Sequence, residues 1–229
     1  MLASVRWVLF DAVGTLLHPD PPVAQVYGEA GRRFGSKLEL AEIGRRFRAA
    51  LAAEMGPADD LSRLPTSEAN ELARWRRIVA AVFHDLSATD SEGLFQLLWQ
   101  HFAQPQHWQL YEDVSPAIHR LKDNGLRLGI ASNFDARLIE IASAKPALAA
   151  CERVFISSQV GFVKPDPRFF ATVSSQLEVS PSQILLVGDD ELADVQGARA
   201  AGWQALWLDR RAEFQDDRAI ASLETLARS

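Results

Sequence analysis

The sequence predicts an α/β protein with a doubly wound parallel sheet and an inserted all-helical domain. The first observation is a set of five short apolar runs that end abruptly in polar or small residues. Runs this uniformly apolar are typical of strands buried on both faces, as in a parallel sheet. They occupy residues 5–10, 126–132, 153–158, 183–188 and 203–208.

The second observation is that helical patterns lie between these runs from about residue 113 to residue 209. In the segment SPAIHRLKDNG, we expect Ser115 to cap the helix, Pro116 to be its first residue and Gly125 to end it. Two further helical segments start at Asp166 and Leu192. Strands that alternate with helices predict right-handed crossovers and a doubly wound sheet.

The third observation is that residues 18–110 carry long helical periodicity, with no strand signal that we can identify. This region begins with the stiff turn HPDPP and is interrupted by GPADDLSRLPTS at residues 56–67. We therefore predict two units: an α/β core of residues 1–17 and 111–229, and a helical cap of residues 18–110.

Composition and charge narrow the classes of partner. The chain is 48% hydrophobic and 24% charged, which is ordinary for a globular protein. Its net charge of −6 gives no general attraction to nucleic acid or to an anionic membrane. The single cysteine fits a reducing compartment, and the start of the chain does not resemble a secretory signal. We expect a cytoplasmic monomer or homodimer that acts on a small molecule, with no nucleic-acid or membrane partner.

Polar and charged side chains follow four of the predicted strands. Each alone has an ordinary explanation: a turn or a helix cap for the aspartates and Ser132–Asn133, and a solvated side chain for Lys164. Ligands of an open parallel sheet bind beyond the carboxyl ends of its strands, so the shared placement indicates one site. The side chains are Asp11 and Thr15 after the first strand, Ser132 and Asn133 after the second, Lys164 after the third, and Asp189, Asp190 and Asp194 after the fourth.

The order of these motifs resembles the haloacid dehalogenase-like (HAD) hydrolase superfamily. The motifs are Asp-x-x-Gly-Thr-Leu, Ser-Asn, Lys-Pro-Asp-Pro and Gly-Asp-x-x-x-x-Asp, and the resemblance covers about residues 5–210. The helical insertion is similar to the first type of cap in that superfamily. The segment SNFDARL and the helix around Trp75 resemble a branch of uncharacterised hydrolases. The resemblance implies a HAD-like Rossmannoid core.

The resemblance also implies a role for each polar residue. Asp11 is the expected nucleophile, since a carboxylate can attack phosphorus and form an aspartyl-phosphate. Lys164 would neutralise the charge of the phosphate. Ser132 would hydrogen-bond the phosphoryl oxygens, where negative charge develops. Thr15 and Asn133 are expected to bind the substrate.

A magnesium ion is the implied cofactor, because Mg²⁺ is held by a few carboxylates together with water and phosphate oxygens. Its expected ligands are Asp11, the main-chain carbonyl of Val13, Asp189 and Asp194. Asp194 would act directly or through water.

Val13 departs from the pattern of the resembled phosphatases, which have a second aspartate there as the general acid and base. Valine can neither protonate a leaving group nor activate water. General acid–base catalysis is typically worth ~10²–10⁴-fold in rate. The substitution therefore leaves three interpretations of the function open.

The first interpretation is a magnesium-dependent phosphatase that acts on a good leaving group, such as an acyl or aryl phosphate, or that takes its proton from His18 or Asp20. The second is a dehalogenase or a phosphonatase, because the reactions of these enzymes need no protonation of the leaving group. The third is a non-catalytic relative that binds a phosphorylated ligand or a partner. The crowded acidic residues favour a metal site, because like charges repel unless a cation separates them.

Overall fold

The structure, a computed structural model, describes residues 4–55, 65–210 and 219–227. The larger sheet has six strands in the order β5-β4-β1-β6-β7-β8, and all of its pairs are parallel. The predicted α/β fold with a doubly wound parallel sheet is confirmed. The strands are β1 (Trp7–Phe10), β2 (Leu17–Pro19), β3 (Trp108–Leu110), β4 (Arg127–Ser132), β5 (Cys151–Ile156), β6 (Ile184–Gly188), β7 (Gln204–Leu208) and β8 (Ala219–Ile220).

Helices α1 to α4 lie between β2 and β3, and the other helices follow β3 along the chain. A π-helical turn at Glu191–Gln196 precedes α9. None of the helices in the described ranges is both long and apolar enough to cross a membrane. The helices are α1 (Val23–Arg33), α2 (Leu40–Met55), α3 (Glu68–Val82), α4 (Ala88–His101), α5 (Val114–Asp123), α6 (Arg137–Ser143), α7 (Ser157–Val160), α8 (Pro167–Leu177), α9 (Gly197–Ala200) and α10 (Leu223–Ala227).

Strand β1 is apolar throughout because both of its faces are buried. Val8 and Phe10 belong to the hydrophobic cluster on one face of the sheet, whereas Trp7 and Leu9 belong to the cluster on the other face. This alternation follows from the two-residue period of a strand. The inserted helices α1 to α4 have a hydrophobic cluster of their own, centred on residues such as Tyr27.

Helix α5 begins earlier than the sequence predicts. Asp113 precedes its first residue, so Ser115 and Pro116 lie inside the first turn. The prediction that Ser115 caps the helix is therefore wrong. Pro116 is tolerated there because the first N–H groups of a helix have no partner within the helix. Gly125 ends the segment with a φ of 79°, as expected of a residue after a helix.

A short antiparallel ribbon joins the insertion to the sheet. Strand β2 pairs with β3, with Leu17 opposite Leu110 and Pro19 opposite Trp108. The expectation of no strand within residues 18–110 is therefore wrong. Strands of three residues, one with a proline, carry no alternating pattern. The ribbon lies at the predicted domain boundary, and the division into two units stays a prediction. Residues 56–64 of the predicted interruption lie outside the described residues.

Candidate active site

Lys164 joins the ends of three strands. Its Nζ donates hydrogen bonds to Asp11 Oδ1 at 2.8 Å, to Asp194 Oδ1 at 2.5 Å and to the carbonyl of Ala131 at 2.7 Å. These three acceptors use all three hydrogens of an ammonium group. Asp11 follows β1, Ala131 lies in β4, and Asp194 lies beyond β6, so the parallel order of the strands creates the contact.

The ammonium of Lys164 is enclosed, since only 1% of its side chain is exposed. Burial alone would lower its pKa, but the negative charges of Asp11 and Asp194 outweigh burial and hold the pKa above its ordinary value. A buried charge is stable only when it is paired and hydrogen-bonded. Lys164 is therefore a fixed positive charge beside Asp11.

Asp11, Asp189 and Asp194 form an acidic cluster around this charge. One carboxylate oxygen from each of the three lies within 4.8 Å of the others. Loss of solvation raises the pKa of Asp189 to about 6, and the charge of Asp11 adds to this effect. Burial also raises the pKa of Asp194, against the lowering effect of Lys164. A single lysine does not fully offset three carboxylates, so the cluster favours a further cation.

The free oxygens of this cluster suit a magnesium ion. Asp11 Oδ2 and Asp189 Oδ2 accept no hydrogen bond from the described residues, and neither does the carbonyl of Val13. Both oxygens of Asp194 are engaged, Oδ1 by Lys164 and Oδ2 by the N–H of Asp190 at 3.1 Å. Carboxylate and carbonyl oxygens are the ligands that Mg²⁺ prefers. The residues present therefore fit the implied metal, with Asp11, Asp189 and Val13 offering unoccupied oxygens.

Two glycines allow the carboxylates to come this close. A Cβ atom on Gly14 would lie 2.2 Å from Asp189 Oδ2, and one on Gly188 would lie 2.1 Å from Asp194 Oδ2. Gly14 also has a φ of 95°, a conformation that other residues rarely adopt. These contacts give a physical reason for the glycines in the first and fourth motifs.

Thr15 and Asn133 contact protein groups of the site. Thr15 Oγ1 donates to Asp189 Oδ1 at 3.0 Å, which orients that carboxylate. Asn133 Nδ2 donates to the carbonyl of Lys164 at 2.9 Å, and its Oδ1 accepts from the N–H of Lys164 at 2.7 Å. Both side chains thus position charged residues, and their predicted role in substrate binding stays a prediction.

Ser132 is buried and is the last residue of β4. Its hydroxyl makes no hydrogen bond with the described residues, so it is available to a ligand. Asp11 directly follows β1, the strand next to β4 in the sheet. The main-chain N–H of Asp11 donates to the carbonyl of Val187 in β6 at 2.9 Å. The hydroxyl and the carboxylate therefore belong to neighbouring strand ends.

Val13 lies in the tight turn after Asp11, with 36% of its surface exposed. Its hydrocarbon side chain cannot act as the general acid and base. His18 lies on β2 with its ring 4.8 Å from that of Tyr111, and Asp20 is exposed one residue after the strand. Both remain candidates for supplying a proton to the site.

Arg210 is a site residue that the sequence analysis missed. It donates to the carbonyl of Gly14 at 3.2 Å and to that of Thr15 at 2.6 Å. It also makes two hydrogen bonds with the carboxylate of Asp113, at 3.1 and 3.0 Å, and stacks 3.8 Å from the ring of Tyr111. Arg210 therefore holds the turn after Asp11 in place.

Asp190 has a local role. Its Oδ1 accepts from the N–H groups of Leu192 and Ala193, at 2.9 and 2.8 Å, and so caps the π-helical turn that carries Asp194. The indole N–H of Trp207 fixes the same loop by donating to the carbonyl of Asp189 at 3.1 Å. Asp190 therefore acts as a turn and capping residue.

The fold and the site together define a class: α/β proteins with a carboxylate and lysine cluster at the carboxyl edge of a parallel sheet and a helical insertion after its first strand. The sequence matches the model of the haloacid dehalogenase-like hydrolases over residues 5–202. The chain belongs to this family, as the motif order predicts.

Similar sequences include named hydrolase-domain proteins and a phosphatase. Haloacid dehalogenase-like hydrolase domain-containing protein 3 of Homo sapiens is 30% identical over 204 residues, which cover 87% of this chain and 80% of that protein. The Bos taurus protein of the same name is 29% identical with the same coverage. A phosphoserine phosphatase of Thermus thermophilus is 28% identical over 236 residues, covering 96% of this chain and 94% of that protein.

Similar solved structures include a phosphatase and a dehalogenase. A HAD phosphatase from Thermococcus onnurineus matches with a TM-score of 0.67 and 25% identity, covering 98% of this chain and 97% of that chain. A 2-haloacid dehalogenase from Pseudomonas syringae matches with a TM-score of 0.65 and 22% identity, with the same coverage. The second likeness shows the shared fold alone.

Proposed function

We propose that the protein is a magnesium-dependent phosphatase that acts on a small phosphorylated metabolite through an aspartyl-phosphate on Asp11. The observation that carries the proposal is the position of Lys164 Nζ between Asp11 and Asp194, with Asp189 completing the cluster. The carboxyl edge of the sheet thus carries a nucleophile (Asp11), a fixed positive charge (Lys164) and carboxylate oxygens that are free to bind a metal. The relatives named as phosphatases support the same reaction class.

In the first step, a carboxylate oxygen of Asp11 attacks phosphorus. The bond between phosphorus and the leaving-group oxygen breaks, and its electron pair stays with that oxygen. Lys164 stabilises the phosphoryl oxygens, and the unpaired hydroxyl of Ser132 donates a hydrogen bond to them. Such preorganised donors act most strongly where charge develops in the transition state.

In the second step, the oxygen of a water molecule attacks the phosphorus of the aspartyl-phosphate. The bond between phosphorus and the Asp11 oxygen breaks, its electron pair restores the carboxylate, and the proton that the water loses leaves with the inorganic phosphate. Asp11, Asp189 and the carbonyl of Val13 would hold the magnesium ion, which would supply positive charge close to the phosphoryl oxygens. Thr15 keeps Asp189 oriented, and Asp194 keeps Lys164 in contact with Asp11.

Val13 restricts the substrates of this reaction. Because residue 13 cannot protonate the leaving oxygen, the reaction favours weakly basic leaving groups such as phenols and carboxylates. Stronger bases would need a proton from His18 or Asp20. We therefore propose an aryl or acyl phosphate as the substrate class.

A non-catalytic role is the second candidate, since Val13 removes a group that the resembled phosphatases use. The protein would then bind a phosphorylated ligand at Lys164 without turnover. Dehalogenation is less favoured, because it would leave Asp11, Asp189 and Asp194 crowded together without a compensating cation.

The test is hydrolysis of p-nitrophenyl phosphate with Mg²⁺ or with EDTA. We expect turnover by the wild type with Mg²⁺ and a loss of at least about 10³-fold in Asp11→Asn. Asp123→Asn, an exposed aspartate at the end of α5, is the matched control and should keep full activity. Halide release from 2-chloropropionate in EDTA would instead indicate a dehalogenase. Silence in both assays, with activity in Val13→Asp, would indicate the non-catalytic alternative.

A further inference from the structure

A small cleft lies between the inserted helices and the start of α6. We call it the Arg137 cleft, after the one residue of α6 that lines it. Its room is ≈ 20 Å³, which is enough for about one water molecule. Its lining includes the aromatic and charged side chains of Tyr27, Trp75, Phe95, Trp99, Phe102 and Arg137.

The guanidinium of Arg137 is held rigidly at the cleft. Its Nε and Nη2 each donate to an oxygen of Asp135 at 2.7 Å, and the group stacks 3.6 Å from the ring centroid of Trp99. Only 11% of the Arg137 side chain and 1% of the Asp135 side chain are exposed. Arg137 Nη1 has no acceptor among the described residues. Because Asp135 occupies the fork formed by Nε and Nη2, Nη1 is the donor that remains, in a fixed position, for a ligand oxygen.

Tyr27 adds a second donor. The residue is 2% exposed, and its hydroxyl has no hydrogen-bond partner within the described ranges. Burial raises its pKa, which the charge of Arg137 only partly offsets, so the hydroxyl keeps its proton. The indole N–H groups of Trp75 and Trp99 likewise have no acceptor in the described part of the chain.

The cleft is therefore rich in donors and poor in acceptors. Because the Tyr27 hydroxyl, Arg137 Nη1 and the two indole N–H groups have no acceptor among the described residues, a ligand that brings oxygen acceptors would pair with them. The aromatic walls around them suit a flat, apolar group, since ring faces stack favourably. Together these features describe an aromatic carboxylate.

We propose that Arg137 and Tyr27 determine specificity by binding a carboxylate on the leaving group of an aryl phosphate. The inference rests on the proposed phosphatase function. Arg137 lies five residues after Ser132, in the segment that follows the carboxyl end of β4, and Asp11 follows the carboxyl end of the neighbouring strand β1. A phenolic leaving group also meets the need for a weak base that Val13 imposes.

Binding of the whole ring requires the cleft to widen. Its present room, about that of one water molecule, excludes both an aromatic ring and a complete carboxylate group. All of its lining residues except Arg137 belong to the inserted helices or directly follow α4. A shift of the insertion away from α6 therefore opens the cleft between Trp99 and Arg137.

The first experiment compares 4-carboxyphenyl phosphate with its methyl ester, which has the better leaving group but no charge. We expect the wild type to prefer the carboxylate in kcat/KM by roughly 10–100-fold, the effect of a hydrogen bond to a charged group. Arg137→Met should abolish the preference by raising KM for 4-carboxyphenyl phosphate. Tyr27→Phe, a conservative change that retains the ring, should reduce the preference in the same way.

Arg168→Met is the matched control. Arg168 makes the same fork with Asp166, at 3.0 and 2.7 Å, and stacks 4.2 Å from the ring of Phe162, outside the cleft. The control should keep the wild-type preference. An equal loss in Arg168→Met and Arg137→Met would overturn the proposal.

A second experiment measures binding of 4-hydroxybenzoate, without turnover, by the fluorescence of the tryptophans at the cleft. We expect binding by the wild type and about tenfold or weaker binding by Arg137→Met. If neither aryl phosphate is hydrolysed but this binding persists, the proposed phosphatase function fails and the cleft stands. If 4-carboxyphenyl phosphate and its methyl ester are hydrolysed equally well, and 4-hydroxybenzoate does not bind, the proposal for the Arg137 cleft is overturned while the proposed phosphatase function stands.

Discussion

Asn133 holds Lys164 by its main chain, through one hydrogen bond donated at 2.9 Å and one accepted at 2.7 Å. The two residues are 31 positions apart and belong to different motifs. The contact fixes the backbone from which the Lys164 ammonium reaches Asp11. The second motif, through Asn133, therefore helps to position the positive charge of Lys164 beside Asp11.

Asn133→Ala should lower kcat/KM for p-nitrophenyl phosphate by about 10²-fold, because a small misplacement of a catalytic group has an effect of that size. Steady-state kinetics with saturating Mg²⁺ measure this effect. Asn70→Ala removes a comparable bond from a side chain to a main-chain carbonyl on the exposed turn before α3, and it should leave kcat/KM unchanged. Activity of Asn133→Ala within twofold of the wild type would contradict the positioning role.

Thr15→Val should weaken magnesium binding by roughly 10–100-fold, the usual effect of removing a partner of a metal ligand. Valine keeps the shape of threonine but cannot donate to Asp189. Titration calorimetry with Mg²⁺ measures the affinity directly. Thr15→Ser keeps the hydroxyl and should bind Mg²⁺ nearly as the wild type does, whereas equal affinities of Thr15→Val and the wild type would count against the assigned ligand.

Asp113 should contribute a pH-dependent part of the stability. Burial opposes its ionisation, but hydrogen bonds from Arg210 and from the N–H of Leu223 outweigh burial and hold its pKa below the ordinary value of 3.8. A carboxyl group with a lowered folded pKa stabilises the fold above its unfolded pKa, and this contribution is lost as the pH falls through the folded pKa.

We therefore expect Asp113→Asn to lower the free energy of unfolding at pH 6 by about 1–3 kcal/mol. The gap to the wild type should close as the pH falls below 3.8. Urea unfolding at a series of pH values measures both effects. Asp123→Asn should show no such pH-dependent gap, and a gap for Asp113→Asn that stays constant with pH would refute the assignment.

Val13→Asp should supply the missing general acid. Because Val13 is exposed, an aspartate there can remain solvated and reach a bound leaving group. We expect hydrolysis of an alkyl phosphate, which has a strongly basic leaving group, to rise by ~10²–10⁴-fold, and that of p-nitrophenyl phosphate to change little. Val13→Asn has the same size without the acid. Equal rates for Val13→Asp and Val13→Asn on the alkyl phosphate would argue against acid catalysis from residue 13.

The sheet could be predicted because burial on both faces makes each strand uniformly apolar, a pattern visible in single short segments such as residues 183–188. The shared position of Asp11, Lys164 and Asp194 could be predicted for a similar reason. Parallel strands end at one edge, so polar residues after separate strands come together there.

Other features had no local pattern to reveal them. Arg210 reaches the carbonyl of Thr15 across 195 positions, and such a contact exists only in the folded chain. Asp113, rather than Ser115, precedes the first residue of α5, and its carboxylate accepts hydrogen bonds from Arg210 and from the N–H of Leu223, which are distant in the sequence. The Arg137 cleft likewise arises from packing between the insertion and α6.

The central claim is that the carboxylate of Asp11 becomes phosphorylated during turnover. The most direct measurement is to quench the wild type in acid during turnover of an aryl phosphate with Mg²⁺, reduce it with borohydride and sequence its peptides by mass spectrometry. An aspartyl-phosphate is reduced to homoserine, so we predict homoserine at position 11 and none in Asp11→Asn. Turnover of the substrate without modification of residue 11, or with modification at another aspartate, would contradict the account.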